Sequence, residues 1–179
     1  MTKEWYQQWQ AYFKRHAGVA WLVEVLATRL AALTILVPVI LVWYPLGRLY
    51  VAWTGINLVV GWLFLVQLIA HVFPQQRPYQ RFEFVPVRGR GFFSNLDTRL
   101  DAFPSGHTTA LCIIAFSVGV FSVGWAVLFV LLAFAAGAAR VFLGWHFVRD
   151  VVGGAGLAAL VVFGLGYLEL FDFLQSFMV

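Results

Sequence analysis

FPSGHTTALCIIAFSVGVFSVGWAVLFVLLAFAAGAARVFLGWHFVRD, residues 103–150, holds two apolar runs with polar side chains gathered at their outer ends. The runs cover 106–122 and 125–142, and Ser122-Val123-Gly124 marks the turn between them. Neither alternates apolar with polar residues, so a membrane barrel strand is excluded. Working outward, three further apolar segments cover 18–45, 49–73 and 146–170. A bilayer core of ~30 Å takes about 20 helical residues. The first, second and fifth segments meet that length. The third and fourth are shorter, and span only if their shared end lies below the membrane surface, inside protein. The expected fold is all-α, a multi-pass transmembrane bundle of about five helices.

Composition agrees. Of the 179 residues 62% are hydrophobic and 11% charged, against roughly 45–50% and 25% in ordinary globular domains. Mean hydropathy is +0.84. A chain of this length cannot bury so much apolar surface in a water-facing fold. A soluble enzyme, a disordered tail and a nucleic-acid-binding domain are therefore excluded. The chain lives in a bilayer.

Two segments lie outside the apolar runs. Residues 1–17 read as an amphipathic interfacial helix, with Trp5, Trp9, Tyr12 and Phe13 at helical spacing and Lys14 and Arg15 at its end. They lack the short apolar region of a cleavable signal. Residues 18–179 then form one membrane-embedded domain. Its long polar connection, 74–105, contains Pro74, Pro78, Pro86, Gly89 and Gly91, and loops beyond ~12–15 residues are usually functional or disordered. Five of the ten arginines (Arg77, Arg81, Arg88, Arg90, Arg99) fall there. Such a patch suits either anionic headgroups or a phosphorylated substrate. Cys112, the single cysteine, cannot form an internal disulfide. Small residues in the fourth and fifth runs (Ala135, Ala136, Gly137, Ala138, Ala139; Gly153, Gly154, Gly156) permit close helix packing.

Polar side chains at membrane depth are costly and mark function by default. Pro104-Ser105-Gly106-His107 opens the third run as a helix start, where free N–H groups and the helix dipole favour an anion. Arg140 ends the fourth run, and His146 and Asp150 open the fifth, four residues apart. On one helix face that spacing lets a carboxylate orient an imidazole. A snorkelling Arg and His at a helix end is the plainer alternative. Thirty-three residues from His107 to Arg140 allow one helix across and one back. His71, Arg77, Ser105, His107, Arg140, His146 and Asp150 therefore meet at one end of the bundle.

Arg77-Pro78, then Pro104-Ser105-Gly106-His107, then Arg140 with His146 and Asp150 beyond it, resembles the three-part signature of the type 2 phosphatidic acid phosphatase family. The signature covers residues 70–150, and the five runs match the family's helical core. Two positions depart from it: Ala70 stands where the family carries a lysine, and Ala139 where it usually carries serine. His71, Arg81 and Arg88 are candidates to replace the missing charge.

The resemblance implies a metal-independent, cofactor-free phosphatase. His146 attacks phosphorus to form a phosphohistidine, Asp150 holds its tautomer, and His107 protonates the leaving group. Arg77, Ser105, Gly106 and Arg140 bind the phosphate oxygens. The implied substrate is a lipid phosphate: undecaprenyl pyrophosphate first, with phosphatidylglycerophosphate, phosphatidate and lipid A phosphates as further members of the class. A lipid phosphotransferase and a non-catalytic scaffold are the alternatives; the family's soluble haloperoxidases are excluded by hydropathy. The expected partners are the lipid substrate and membrane lipids, without nucleic acid. The implied setting is the bacterial cytoplasmic membrane. The positive-inside rule, counted on Lys3, Lys14, Arg15 and the loop arginines, favours a cytoplasmic site. The resemblance favours the periplasmic face, which is the expectation adopted.

Overall fold

The computed structural model describes residues 1–41, 47–87, 101–119 and 122–168, with 172, 173 and 176; side chains of 30–41 and of 167 are outside the description. Arg88, Arg90, Arg99 and Glu169 lie outside the described residues.

Helix α1 (Lys3–Arg15) starts at Thr2, whose hydroxyl accepts from the Trp5 amide. Glu4 in its first turn and Lys14 and Arg15 in its last complement the helix dipole. Helix α2 (Ala17–Leu41) follows at once. A continuous helix from Gly47 to Val72 comprises α3 (Gly47–Leu58), a π-helical stretch (Val59–Val66) and α4 (Gln67–Val72). The single turn α5 (Pro78–Arg81) precedes α6 (Gly106–Gly119), α7 (Val123–Phe142) and α8 (Val148–Tyr167).

The helix Gly47–Val72, α7, and Val148–Gly166 within α8 are long and apolar enough to cross a membrane. The fourth run is thus longer than its sequence suggested, since the helix begins at Val123. Helix α6 remains short. At 14 residues it reaches only about 21 Å at 1.5 Å per residue. It can be short because it is the central helix, packed chiefly between α7 and α8 and touching α3 and the π-helical stretch. Leu111, Cys112 and Ile113 of α6 form the main core with Trp53, Ala133, Ala136, Ala158 and Val162. Gly61 lets the π-helical stretch meet that core; a Cβ there would stand 2.7 Å from Ile113 Cδ1.

Helix α1 is amphipathic. Of the expected stripe Trp5, Trp9, Tyr12 and Phe13 it buries Phe13 fully, and Tyr6 and Gln10, outside that stripe, are buried beside it. Trp5 and Trp9 pack on Phe142 at the end of α7, and Phe13 joins Ala20, Ala27, Ala139, Leu143 and Trp145 in a second core. Tyr6, Gln10 and Phe13 dock α1 on the end of the bundle, while Tyr12 stays exposed.

Candidate active site

The start of α6, the end of α7 and the start of α8 meet at that end. Ser105 caps α6 in all but name: its carbonyl accepts from the Thr109 amide at 2.9 Å and its own amide donates to the Asp150 carbonyl at 2.9 Å. Its hydroxyl accepts from Thr108 Oγ1 at 3.0 Å. The approach of α8 is so close that a Cβ on Gly154 would sit 2.8 Å from the Ser105 carbonyl oxygen. Gly106 then presents the first free amide of a 14-residue helix.

His146 does not stand on α8. The helix begins at Val148 because the Asp150 carboxylate accepts from the Phe147 amide, Oδ2 to N 2.8 Å, and caps it. The imidazole lies in the preceding turn, 2% exposed. Its Nδ1 is 3.0 Å from the Ala102 carbonyl oxygen and 3.7 Å from Asp150 Oδ2. A proton on Nδ1 donates to the Ala102 carbonyl, with the Asp150 carboxylate beside it, and leaves the Nε2 lone pair free. The orienting role expected of Asp150 alone is therefore shared, with a backbone carbonyl as the nearer acceptor. Burial holds the imidazole at about 4, below the ordinary histidine value; the charges of Arg77 and Arg140 push the same way and Asp150 opposes them.

Arg140 is 4% exposed. Its Nη2 donates to the Ala27 carbonyl at 2.6 Å and its guanidinium lies 5.4 Å from the Trp145 ring centroid. Nε is buried without an acceptor, so a donor remains for an incoming oxygen. Arg77 is half-buried and pairs with Asp101, Nε and Nη2 to Oδ1 at 3.1 and 3.0 Å. His107, by contrast, is exposed and lies within electrostatic range of Arg77, Arg140 and His146. The general-acid candidate stands at the mouth and the nucleophile candidate on the floor.

The auxiliary residues are placed differently. His71 is exposed in the last turn of α4 and is not brought among these groups. Arg81 is at the rim, its guanidinium 6.0 Å from the ring centroids of Phe82 and Phe147. Arg88 lies outside the described residues. Among the described residues no group of three or more His, Cys, Asp or Glu side chains could hold a metal ion.

Sequence reading missed Asp101 and Ala102. A bridge between Gln75 and Asp101, with the Ala102 amide donating to the Gln75 carbonyl at 3.1 Å, pins this strip beside Arg77. Its only sequence signal was an acidic residue four positions before Ser105.

Residues 49–170, which include every signature position quoted above, match the family model described as PAP2 superfamily. Two lipid A 1-phosphatases are similar in sequence. That of Rhizobium johnstonii is 31% identical over 126 residues, 62% of this chain and 46% of its own length. That of Rhizobium etli is 31% identical over 121 residues, 59% and 46%. The chain spans just under half the length of these relatives. A solved structure, a transmembrane PAP2-type phosphatidylglycerolphosphate phosphatase from Bacillus subtilis, shares the fold. Its TM-score is 0.55 at 19% identity, over 93% of this chain and 83% of that one. The helical bundle and the match over residues 49–170 agree, and this membrane protein belongs to the PAP2 superfamily.

Proposed function

We propose that the protein hydrolyses the phosphate or pyrophosphate monoester of a membrane lipid through a phosphohistidine at His146. The observation that carries this is the buried His146, with Nδ1 turned to Ala102 and Asp150 and Nε2 free. Nε2 attacks the terminal phosphorus and the bond to the leaving oxygen breaks, the lipid alcohol oxygen of a monophosphate or the bridging oxygen of a pyrophosphate. His107 gives that oxygen its proton. Arg77, Arg140, Ser105 and the Gly106 amide hold the equatorial oxygens, where fixed donors act most strongly. Water then attacks the phosphohistidine and free phosphate leaves. No metal is required.

Substrate class follows from the site's place between helices at the end of the bundle, where a headgroup phosphate lies. Undecaprenyl pyrophosphate is proposed as the leading substrate. The similarity to two lipid A 1-phosphatases favours a lipid A 1-phosphate as the second. Phosphate release from these two lipids, phosphatidylglycerophosphate and phosphatidate, each with and without EDTA, ranks them. Release that persists in EDTA, with acid-labile phosphoenzyme lost in His146→Ala, is the expected result. Undiminished turnover in His146→Ala, or loss in EDTA restored by Zn²⁺ or Mg²⁺, would overturn the mechanism.

The site is proposed to face the periplasm. Gln10 bonds to Leu143 and Val87, so α1, the chain at Val87 and the nucleophile turn share one side. Val85 is 70% exposed on that side. In a Cys112→Ala background, Val85→Cys should react with an impermeant maleimide in intact cells. Labelling only after lysis would reverse the orientation.

A further inference from the structure

The buried face of α1 carries a glutamine between two aromatics, Tyr6 and Phe13. Gln10 is 6% exposed, and an apolar side chain there would avoid the cost of burying an amide. Its carboxamide is used at both ends. Nε2 donates to the Leu143 carbonyl at 3.2 Å, and Oε1 accepts from the Val87 amide at 2.8 Å. Leu143 caps the C-terminus of α7, so its carbonyl has no partner within the helix.

Between Leu143 and His146 stand only Gly144 and Trp145, and the whole turn is braced. Gly144 has φ +78°, open to glycine, and a Cβ there would meet the Phe84 ring at 2.6 Å. The Gly144 carbonyl accepts from the Tyr79 amide at 3.3 Å, while the Trp145 and His146 amides converge on the Arg140 carbonyl. Tyr6 Oη reaches the His146 carbonyl at 3.5 Å. Burial pushes the Tyr6 hydroxyl up and the Asp150 charge adds to this, so it stays a neutral donor.

We propose that Gln10 is a positioning residue for the His146 nucleophile. It clamps the Leu143–His146 turn to the chain at Val87, and so sets where Nε2 stands against phosphorus. The proposal rests on the phosphohistidine reading and goes beyond it, because α1 lies outside residues 49–170 that match the family. Loss of such a contact is felt in the rate: a 1 Å misplacement of a reacting group costs about 10²-fold.

The test compares full-length wild type, Gln10→Leu and Thr2→Ala in lipid nanodiscs. Gln10→Leu keeps the volume and removes both hydrogen bonds. Thr2→Ala weakens α1 through its N-cap, away from the turn. Well below either Tm, Gln10→Leu should lower kcat by ~10- to 100-fold with KM within about twofold. Thr2→Ala should keep kcat near wild type. Hydrogen exchange supplies a readout independent of turnover, with the amides of residues 143–147 exchanging faster in Gln10→Leu alone. Unchanged kcat in Gln10→Leu, or losses in both variants that follow Tm, would overturn the proposal. If wild type releases no phosphate from any of the four lipids, the phosphatase reading fails by itself. Exchange then decides the clamp: unchanged protection at 143–147 in Gln10→Leu overturns it, and selective loss supports it.

Discussion

Six residues of α7 separate two opposite environments. Phe134 is 73% exposed and Arg140 4%. The pattern holds across the molecule: Leu131 and Leu160 are 61% and 69% exposed, while Ser105 and Asp150 are fully buried. A water-soluble domain reverses that order. Lipid tails are as apolar as leucine, so an outward Phe134 loses little and an outward Arg140 would lose much. Burial in this protein is therefore shared between apolar helix-packing cores and the polar groups gathered at one end. That end of the interior is built as a site, and the apolar exterior is the part that tolerates change.

Paired truncation separates the two environments of α7 most widely. Arg140→Ala should lower kcat/KM by about 10²- to 10³-fold, the size of losing a preorganised donor to a reacting oxygen. Arg140→Lys should recover only part, because an ammonium lacks the planar fork that serves the Ala27 carbonyl and leaves Nε for phosphate. Phe134→Ala, at the exposed position on the same helix, should leave turnover near wild type. Phosphate-release kinetics in one lipid system measure all three. Equal losses at 134 and 140 would mean that Arg140 acts through folding and not at phosphate.

The exterior and the interior were also unequally legible in the sequence. The lipid-facing runs showed themselves because a bilayer demands length and continuity, which any window of residues 123–142 displays. The convergence of Ser105, His107, Arg140, His146 and Asp150 followed from connectivity, since each sits where an apolar run stops. What stayed hidden was carried by the backbone. The Ala102 carbonyl that orients His146 has no residue-type signature, and an alanine announces nothing. Asp101 reaches Arg77 from 24 positions away, across a polar connection without periodicity. Helix phase misled too: Asp150 spends one oxygen capping α8, which ejects His146 from the helix that spacing alone had assigned it to. On α1 the aromatic residues outweighed Gln10 as a guide, and so Gln10, buried beside Phe13, was left out of the stripe.

The smallest expected effect is a silence. A solvent-exposed histidine titrates near pH 6.5, whereas burial holds His146 at about 4. The ¹³Cε1 resonance of His146, assigned by its loss in His146→Asn, should therefore not move between pH 7.5 and 5.5. The same displacement has a sign for stability. Above the unfolded value of about 6.5 neither state binds the proton, and the contribution is fully present. As pH falls from there toward 4 the unfolded chain takes up a proton that the folded turn refuses, and stability declines; below 4 both states are charged and the decline stops. His146→Asn, with no proton to bind, should flatten the part of the Tm profile that falls between those limits. A resonance that moved with a midpoint near 6.5 would mean that water reaches His146. The floor of the site would then be open like its mouth at His107, and the contrast between the sealed interior and the exposed surface would end short of the nucleophile.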